Sequence, residues 1–405
     1  MSTPFQAERI TDDVYWVGAI DRELRSFHGY ETGRGSTYNA YLVLAEKVAL
    51  IDTVKAPFFD EMMARIASVI DPQRIDYIVS NHSEMDHSGA LGQTISTVEP
   101  TKVFASKMGA KALAAHFHLD REIVALADGE SLDLGSMNLT CAETRMCHWP
   151  DSMVSYLHDR ELLFSQDAFG MHLASDECFV DELDREILDY EAAKYYANIL
   201  LPLSSFVRKA LDKLAGMDLP LSMVAPDHGP IWRNQADIEG ILADYGRWAA
   251  QAPTNKSVIV YDTMWGATAQ MARAIGEGLT AGGAEVKLMH MSDCHRSDVA
   301  LAVLEAGALI VGSPTMNNNM FPTVGDVMTY LKGLRPANLL AGAFGSYGWS
   351  GEAPKILLAM LEDMALTPAA VPLRVRYVPD EEALGLCRQF GEQLAGKLRE
   401  FRHAE

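Results

Sequence analysis

Two rhythms of hydrophobic spacing divide this chain. Up to about residue 250, short apolar or alternating runs dominate: "DDVYWVGA", "TYNAYLVLAEKVALIDTV", "RIDYIVSNH", "TKVFAS", "MNLTCAET", "MVSYLHDRELLFSQDA" and "PLSMVAPDHG". Their β-branched and aromatic content, closed off by turn residues, predicts strands. Between them, "APFFDEMMARIASVI" and "GAKALAAHF" place apolar residues at helical spacing, so a mixed sheet sandwich with outer helices is expected. After "RWAAQAPTNKSVIVYDT" the rhythm changes. The strand candidates "SVIVYDT", "EVKLMHM", "GALIVGSPT", "LLAGAFGS" and "LRVRYVP" alternate with helices such as "TAQMARAIGEGLTAGG" and "APKILLAMLEDMAL". That alternation predicts a doubly wound parallel sheet of five strands, an α/β fold. The polar break puts the domain boundary near Ala252, giving domains 1–252 and 253–405.

Composition narrows the setting. The 405 residues carry a formal charge of -21. From Thr254 onward there are 13 basic and 16 acidic residues, a net of -3, so the preceding part carries -18. Such a chain lacks the clustered lysine and arginine that nucleic acid or an anionic membrane surface requires. No apolar run reaches the length of a membrane span and the start, "MSTPFQAERITDDVYW", has no export signal, so a cytoplasmic protein is expected. Cys141, Cys147, Cys178, Cys294 and Cys387 are scattered without a C-x-x-C pair, which fits a reducing compartment and argues against thiolate-bound iron.

The candidate chemistry of the first half begins at "NHSEMDHSGA", where His82, Glu84, Asp86 and His87 crowd together without a lysine or arginine. Alone, this could be a polar loop with a helix-capping aspartate. In an extended loop residues two apart point the same way, so His82, Glu84 and Asp86 are expected to aim at one point, with a helix starting at "SGALG". Three further candidates stand at strand ends: His148 in "MCHWPDS", Asp167 in "FSQDAFG" and His228 in "APDHGP". Together they make seven ligands, enough for two ions about 3.5 to 4 Å apart if Asp167 bridges.

In the second half, three loops fall at the carboxyl ends of strands, where doubly wound sheets bind ligands. The first is Thr263, Met264, Trp265, Gly266, Ala267 and Thr268, which offers hydroxyls and backbone N–H groups at a helix start and suits a phosphate monoester. It lacks the lysine of a triphosphate loop and the spaced glycines of a dinucleotide fingerprint. The second is Ser313, Pro314, Thr315, Met316, Asn317, Asn318 and Asn319; the third is Ser346, Tyr347, Gly348, Trp349, Ser350 and Gly351. The bland alternative is a set of turns around a core aromatic.

The order of motifs over residues 10 to 245 resembles the metallo-β-lactamase superfamily, with one departure. Zinc-binding members usually present H-x-H-x-D-H, whereas this chain reads His82-x-Glu84-x-Asp86-His87. A hard oxygen ligand in place of an imidazole favours iron or manganese over zinc. Residues 256 to about 402 resemble flavodoxin, which binds FMN through such loops. A diiron-type metallo-β-lactamase domain followed by a flavodoxin domain is similar to the flavodiiron (A-type flavoprotein) family.

That resemblance implies two iron ions and FMN, and an enzyme that reduces dioxygen to water, nitric oxide to nitrous oxide, or both. It implies one iron at His82, Glu84 and His148, the other at Asp86, His87 and His228, and Asp167 between them. It also implies that His28, His172 and Tyr195 surround the pocket. Electrons are expected from an external donor such as rubredoxin or a reductase, since no two-cysteine-pair module is present. The family's assembly is a head-to-tail homodimer, or a tetramer of dimers. The rival readings are a binuclear hydrolase with an appended flavin domain, against which Glu84 speaks, and a metal-free electron carrier, against which complete ligation speaks.

Overall fold

The computed structural model describes residues 5–119 and 121–403. Its packing divides into two compact units, one made of Met1–Tyr195 and Leu203–Gly246, the other of Tyr196–Pro202 and Arg247–Glu405. The division thus falls in the last turn of the helix Gln235–Ala250 and not in the polar stretch at Ala252. Glu305 accounts for this, accepting from Arg247 Nε at 2.8 Å and from Trp248 Nε1 at 3.2 Å. The π-helical turn Tyr196–Leu200 joins the second unit through Asn198, which bonds Ser297 O and the Tyr330 hydroxyl at 3.2 and 2.7 Å.

In the first unit, the strands Glu8–Arg9, Val14–Trp16, Tyr41–Val43, Val48–Ile51, Ile75–Ser80, Lys102–Ser106 and Ile123–Leu126 form one sheet. They pair antiparallel as far as Val48–Ile51 and parallel beyond it. A second sheet runs Ser131–Asp133, Asn138–Glu143, Met153–Leu157, Leu162–Gln166, Met223–Pro226. The period-two side-chain alternation decides the layers. Tyr41, Val43, Ala49, Ile51 and Phe104 pack with Leu139, Met153, Leu162 and Phe164 of the second sheet. Their neighbours Leu42, Leu50, Ile78 and Val103 turn the other way, onto Met62 and Ile66 of the helix Phe59–Ala67 and Ile95 of Leu91–Val98. Each such buried Val, Leu, Ile, Met or Phe side chain contributes about 1.5–3 kcal/mol relative to exposure.

The second unit has the strand order Glu285–His290, Lys256–Tyr261, Ala308–Gly312, Leu340–Tyr347, all parallel. Where one fifth strand was expected, two short ones share the place. Thr367–Pro368 pairs with Leu340 and Ala341, and Leu373–Arg376 with Phe344 to Tyr347. Pro368 brings no N–H to the ladder, and after Ala369 N bonds Ala341 O at 2.9 Å the chain leaves the sheet until it passes Pro372. The strand order reverses between Lys256–Tyr261 and Ala308–Gly312, so the loops after these strands diverge and leave a crevice. Among the described residues no helix is long and apolar enough to cross a membrane.

Candidate metal centre and flavin cleft

Every candidate ligand of the first unit lies just beyond a strand's carboxyl end. His82 and Glu84 follow Ile75–Ser80, His148 follows Asn138–Glu143, Asp167 follows Leu162–Gln166, and His228 follows Met223–Pro226. The structure sorts the seven into two clusters: His82, Glu84, His148 and Asp167 in one, Asp86, His87 and His228 in the other. The expectation that His82, Glu84 and Asp86 share one point is corrected here. The helix starts earlier than "SGALG", at Met85–Ser88, so the two-residue alternation ends at Glu84 and a helical turn carries Asp86 and His87 to the second cluster.

Asp167 stands between the clusters and divides its two oxygens. Oδ2 lies 2.8 Å from His148 Nε2 and 3.3 Å from His82 Nε2, and Oδ1 lies 3.2 Å from His87 Nε2 and 3.5 Å from His228 Nε2. Glu84 Oε2 is 3.3 and 3.2 Å from the Nε2 atoms of His82 and His148, and Asp86 Oδ2 is 3.4 and 3.2 Å from those of His87 and His228. Ligands about 2.1 Å from a shared ion stand about 3.0 Å apart at octahedral angles and about 3.4 Å at tetrahedral ones. Both oxygens of Asp86 and of Asp167, and both nitrogens of His87, are buried without a hydrogen bond of acceptable geometry. Close approach without hydrogen-bond alignment is the signature of atoms aimed at a common centre, and the residues fit a pair of cations.

The far side of each imidazole is held differently. His82 Nδ1 lies 3.3 Å from Asp151 Oδ2, which also accepts from Ser83 N at 2.7 Å. His228 Nδ1 donates to Thr37 O at 2.6 Å. His87 Nδ1 faces Asp227 Oδ2 at 3.6 Å. Burial works against every charge here, yet the neighbours prevail for most groups. Against it, Asp86, Asp167 and Asp227 push His87 up to about 10, and the imidazoles hold Asp167 and Glu84 well below the usual carboxylate range. His172 behaves oppositely: burial and the nearby His228 drive it well below 6.5, so its ring is neutral.

His28, His172 and Tyr195 lie beside the candidate ligands. His28, at the tip of a hairpin and 68% exposed in its side chain, reaches Glu84 Oε1 at 2.9 Å. The His172 ring lies 4.6 Å from that of His228 and 5.2 Å from that of Tyr195. Sequence reasoning passed over Ser36, Asp151 and Asp227. Their signal is only that of polar residues inside or beside strands.

In the second unit a cleft of about 330 Å³ is lined by Met264, Trp265, Ala267, Pro314, Thr315, Ser346, Tyr347, Gly348, Trp349, Tyr377 and Val378. All three expected loops contribute. Gly266, at φ 84°, turns the first loop into the helix Ala267–Ala281. Thr268 and Ser346 join two loops through their hydroxyls at 2.9 Å. Thr263 Oγ1 accepts from Gly266 N, and Ser313 Oγ from Phe321 N, so these hydroxyls brace loops. Asn317 and Asn318 have positive φ in a tight turn closed by Met316 and Asn319, and none of these four lines the cleft; nor do Ser350 and Gly351. Trp265 is 88% and Trp349 85% exposed. Two bare indoles beside a cleft suit a flat aromatic ligand. Tyr377 and Val378, unforeseen, enter from the end of Leu373–Arg376.

Comparison with known proteins agrees with this division. Residues 37–229 match the ODP family beta lactamase and residues 259–391 match flavodoxin. The chain is 44% identical to a rubredoxin-oxygen oxidoreductase of Megalodesulfovibrio gigas, over 97% of this chain and 98% of that one. It is 43% identical to a nitric oxide reductase of Moorella thermoacetica, over 97% and 99%. Among solved structures, the rubredoxin oxygen:oxidoreductase of Desulfovibrio gigas superposes with a TM-score of 0.96 at 43% identity, covering 98% of this chain and 99% of that one. The flavodiiron protein of Giardia intestinalis superposes at 0.94 with 31% identity, covering 98% of each. With its split carboxylate centre in one unit and its indole-flanked cleft in the other, this chain belongs to the flavodiiron proteins.

Proposed function

We propose that this chain reduces dioxygen to water, nitric oxide to nitrous oxide, or both, taking electrons from an external donor such as rubredoxin. His82, Glu84 and His148 would hold one iron, Asp86, His87 and His228 the other, with Asp167 shared. When bound, the ions supply Lewis acidity and, with FMN, the electrons that either gas requires. The observation that carries this reading is Asp167, whose two oxygens face separate clusters, one of which contains Glu84 where zinc enzymes of the superfamily usually place histidine.

The residues around the centre orient and shield it. The Thr37 carbonyl fixes the proton of His228 on Nδ1 and leaves the Nε2 lone pair toward Asp86 and Asp167. Asp151 does the same for His82. His28 reaches the Glu84 oxygen that turns away from the other ligands, and the buried rings of Tyr30 and Tyr195 keep bulk water from His172. In the second unit, the N-terminus of Ala267–Ala281 would receive the FMN phosphate and the two indoles its ring.

We further propose a head-to-tail homodimer, or a tetramer built from dimers, as the active assembly. The test of function is direct. Protein purified with iron and FMN, reduced anaerobically, is expected to consume dioxygen, nitric oxide or both at an electrode. Tightly bound zinc with ester or thioester cleavage and no gas consumption would overturn the reading in favour of a hydrolase.

A further inference from the structure

One hydroxyl lies between two imidazoles. Ser36, fully buried, has its Oγ 2.8 Å from His172 Nδ1, 3.2 Å from His228 Nδ1 and 3.0 Å from Thr37 O. A serine hydroxyl has one proton to give and two lone pairs to receive. The surrounding atoms decide how these are used. Thr37 O can only accept, so His228 Nδ1, at 2.6 Å from it, carries a proton. Two arrangements remain for His172. If Ser36 donated to His172, the proton on His172 Nε2 would be a buried N–H with no partner, because that atom has none. Orphaned buried donors are rare and expensive, whereas an unused lone pair is tolerated more easily. The favoured arrangement therefore has Ser36 donating to Thr37 O, accepting from His172 Nδ1 at 2.8 Å and, as the longer branch of a proton shared with Thr37 O, from His228 Nδ1 at 3.2 Å, which saturates its hydroxyl.

We infer that Ser36 is a positioning residue that holds His172 in its Nδ1–H tautomer and, together with the Thr37 carbonyl, orients the His228 ring, and so sets cation affinity at the Asp86, His87 and His228 cluster. Both rings then turn an unprotonated Nε2 away from Ser36. That of His228 faces Asp86 Oδ2 at 3.2 Å, and that of His172 stays buried without a protein partner. The His82 cluster has its own orienting group in Asp151, so the influence of Ser36 is confined to one side of Asp167. This inference rests on the ligand assignment proposed above.

The experiment uses the full-length protein, stripped of metal and titrated with cobalt(II) against a chelator, with each site's absorption followed separately. Wild type is expected to take up two cobalt ions per chain. Ser36→Ala is expected to weaken, by about tenfold, the same site that His228→Ala removes, and to leave the other unchanged. This is the low end of the usual loss for an outer partner, since Thr37 O still holds His228. Asp151→Asn is expected to weaken the opposite site. Ser36→Thr, which keeps the hydroxyl, is expected to restore affinity. Ser36→Cys, with a weakly bonding thiol of similar size, is expected to lose it selectively even if the alanine variant folds poorly. Both cobalt sites unchanged in Ser36→Ala and Ser36→Cys, or both weakened alike, would overturn the inference alone. A wild-type protein that binds no cobalt would overturn the ligand assignment and this inference with it.

Discussion

At the residue scale, the two clusters depend on one carboxylate. Asp167 is 1% exposed and has no bond to backbone that would justify its burial other than the charges it faces. Asp167→Ala is expected to release both metals and abolish gas reduction, while FMN stays bound because its cleft is built from the second unit alone. Metal analysis beside the flavin absorption spectrum checks this, and loss of flavin would show the two sites to be coupled. Glu84 is the residue that separates this centre from zinc-type ones. Glu84→His is expected to raise zinc occupancy relative to iron after growth with both metals, since an imidazole replaces the hard oxygen. An unchanged ratio would remove the argument from ligand hardness.

At the scale of elements, loops and turns place the chemistry, and their strain can be read. Gly266 sits at φ 84° with open space where a Cβ would point. Gly266→Ala therefore meets no clash but carries about 1 kcal/mol of left-handed strain. If the empty loop relaxes, that strain opposes ligand binding, and the FMN dissociation constant is expected to rise about fivefold, measured by flavin fluorescence. The turn before Val14–Trp16 is tied down by Asp13, which receives Arg160 Nε at 2.7 Å. Partial burial pushes the Asp13 carboxyl up, but the Arg160 guanidinium and Thr11 outweigh it and hold it below 3.8. A carboxyl lowered in the folded state adds stability above its unfolded pKa and loses it as pH falls through the folded value. Asp13→Asn is expected to cost about 0.5–1 kcal/mol at pH 7, discounted for its exposure, and nothing once the pH is below the folded pKa. Urea unfolding at pH 7 and at acid pH compares the two; an equal loss at both would exclude the ion pair as its source.

At the scale of the whole molecule, the question is how electrons cross from the flavin to the metals. The charge is uneven, with -18 on the part before Thr254 and -3 after it, so a donor meets electrostatically different surfaces. In the proposed head-to-tail dimer, the flavin of one subunit serves the metals of the other. Mixing His228→Ala chains with chains that cannot bind FMN is then expected to restore part of the activity through hybrid dimers, once subunits exchange. A monomer that keeps full turnover on dilution would defeat the proposed assembly. NADH alone is expected to reduce the purified protein poorly, because the proposed donor is a separate carrier.

The linear chain by itself determined the two fold patterns and all seven candidate ligands. Hydrophobic period and turn residues are local properties, and the ligand types crowd into short motifs at strand ends. It also named three loops of the flavin cleft, because doubly wound sheets present such loops at the strands' carboxyl ends. The tertiary structure decided the rest. The fold separates Asp86 from His82 and Glu84, as the family resemblance implied and the two-residue alternation did not, because a helical turn that begins at Met85 interrupts that alternation. Only the fold brings Ser36 to His172 and His228, 136 and 192 residues away in the chain, or carries Tyr377 to the cleft. Such contacts depend on sheet packing and strand register, which combine the choices of distant segments, and no periodicity within one segment records where its partner lies.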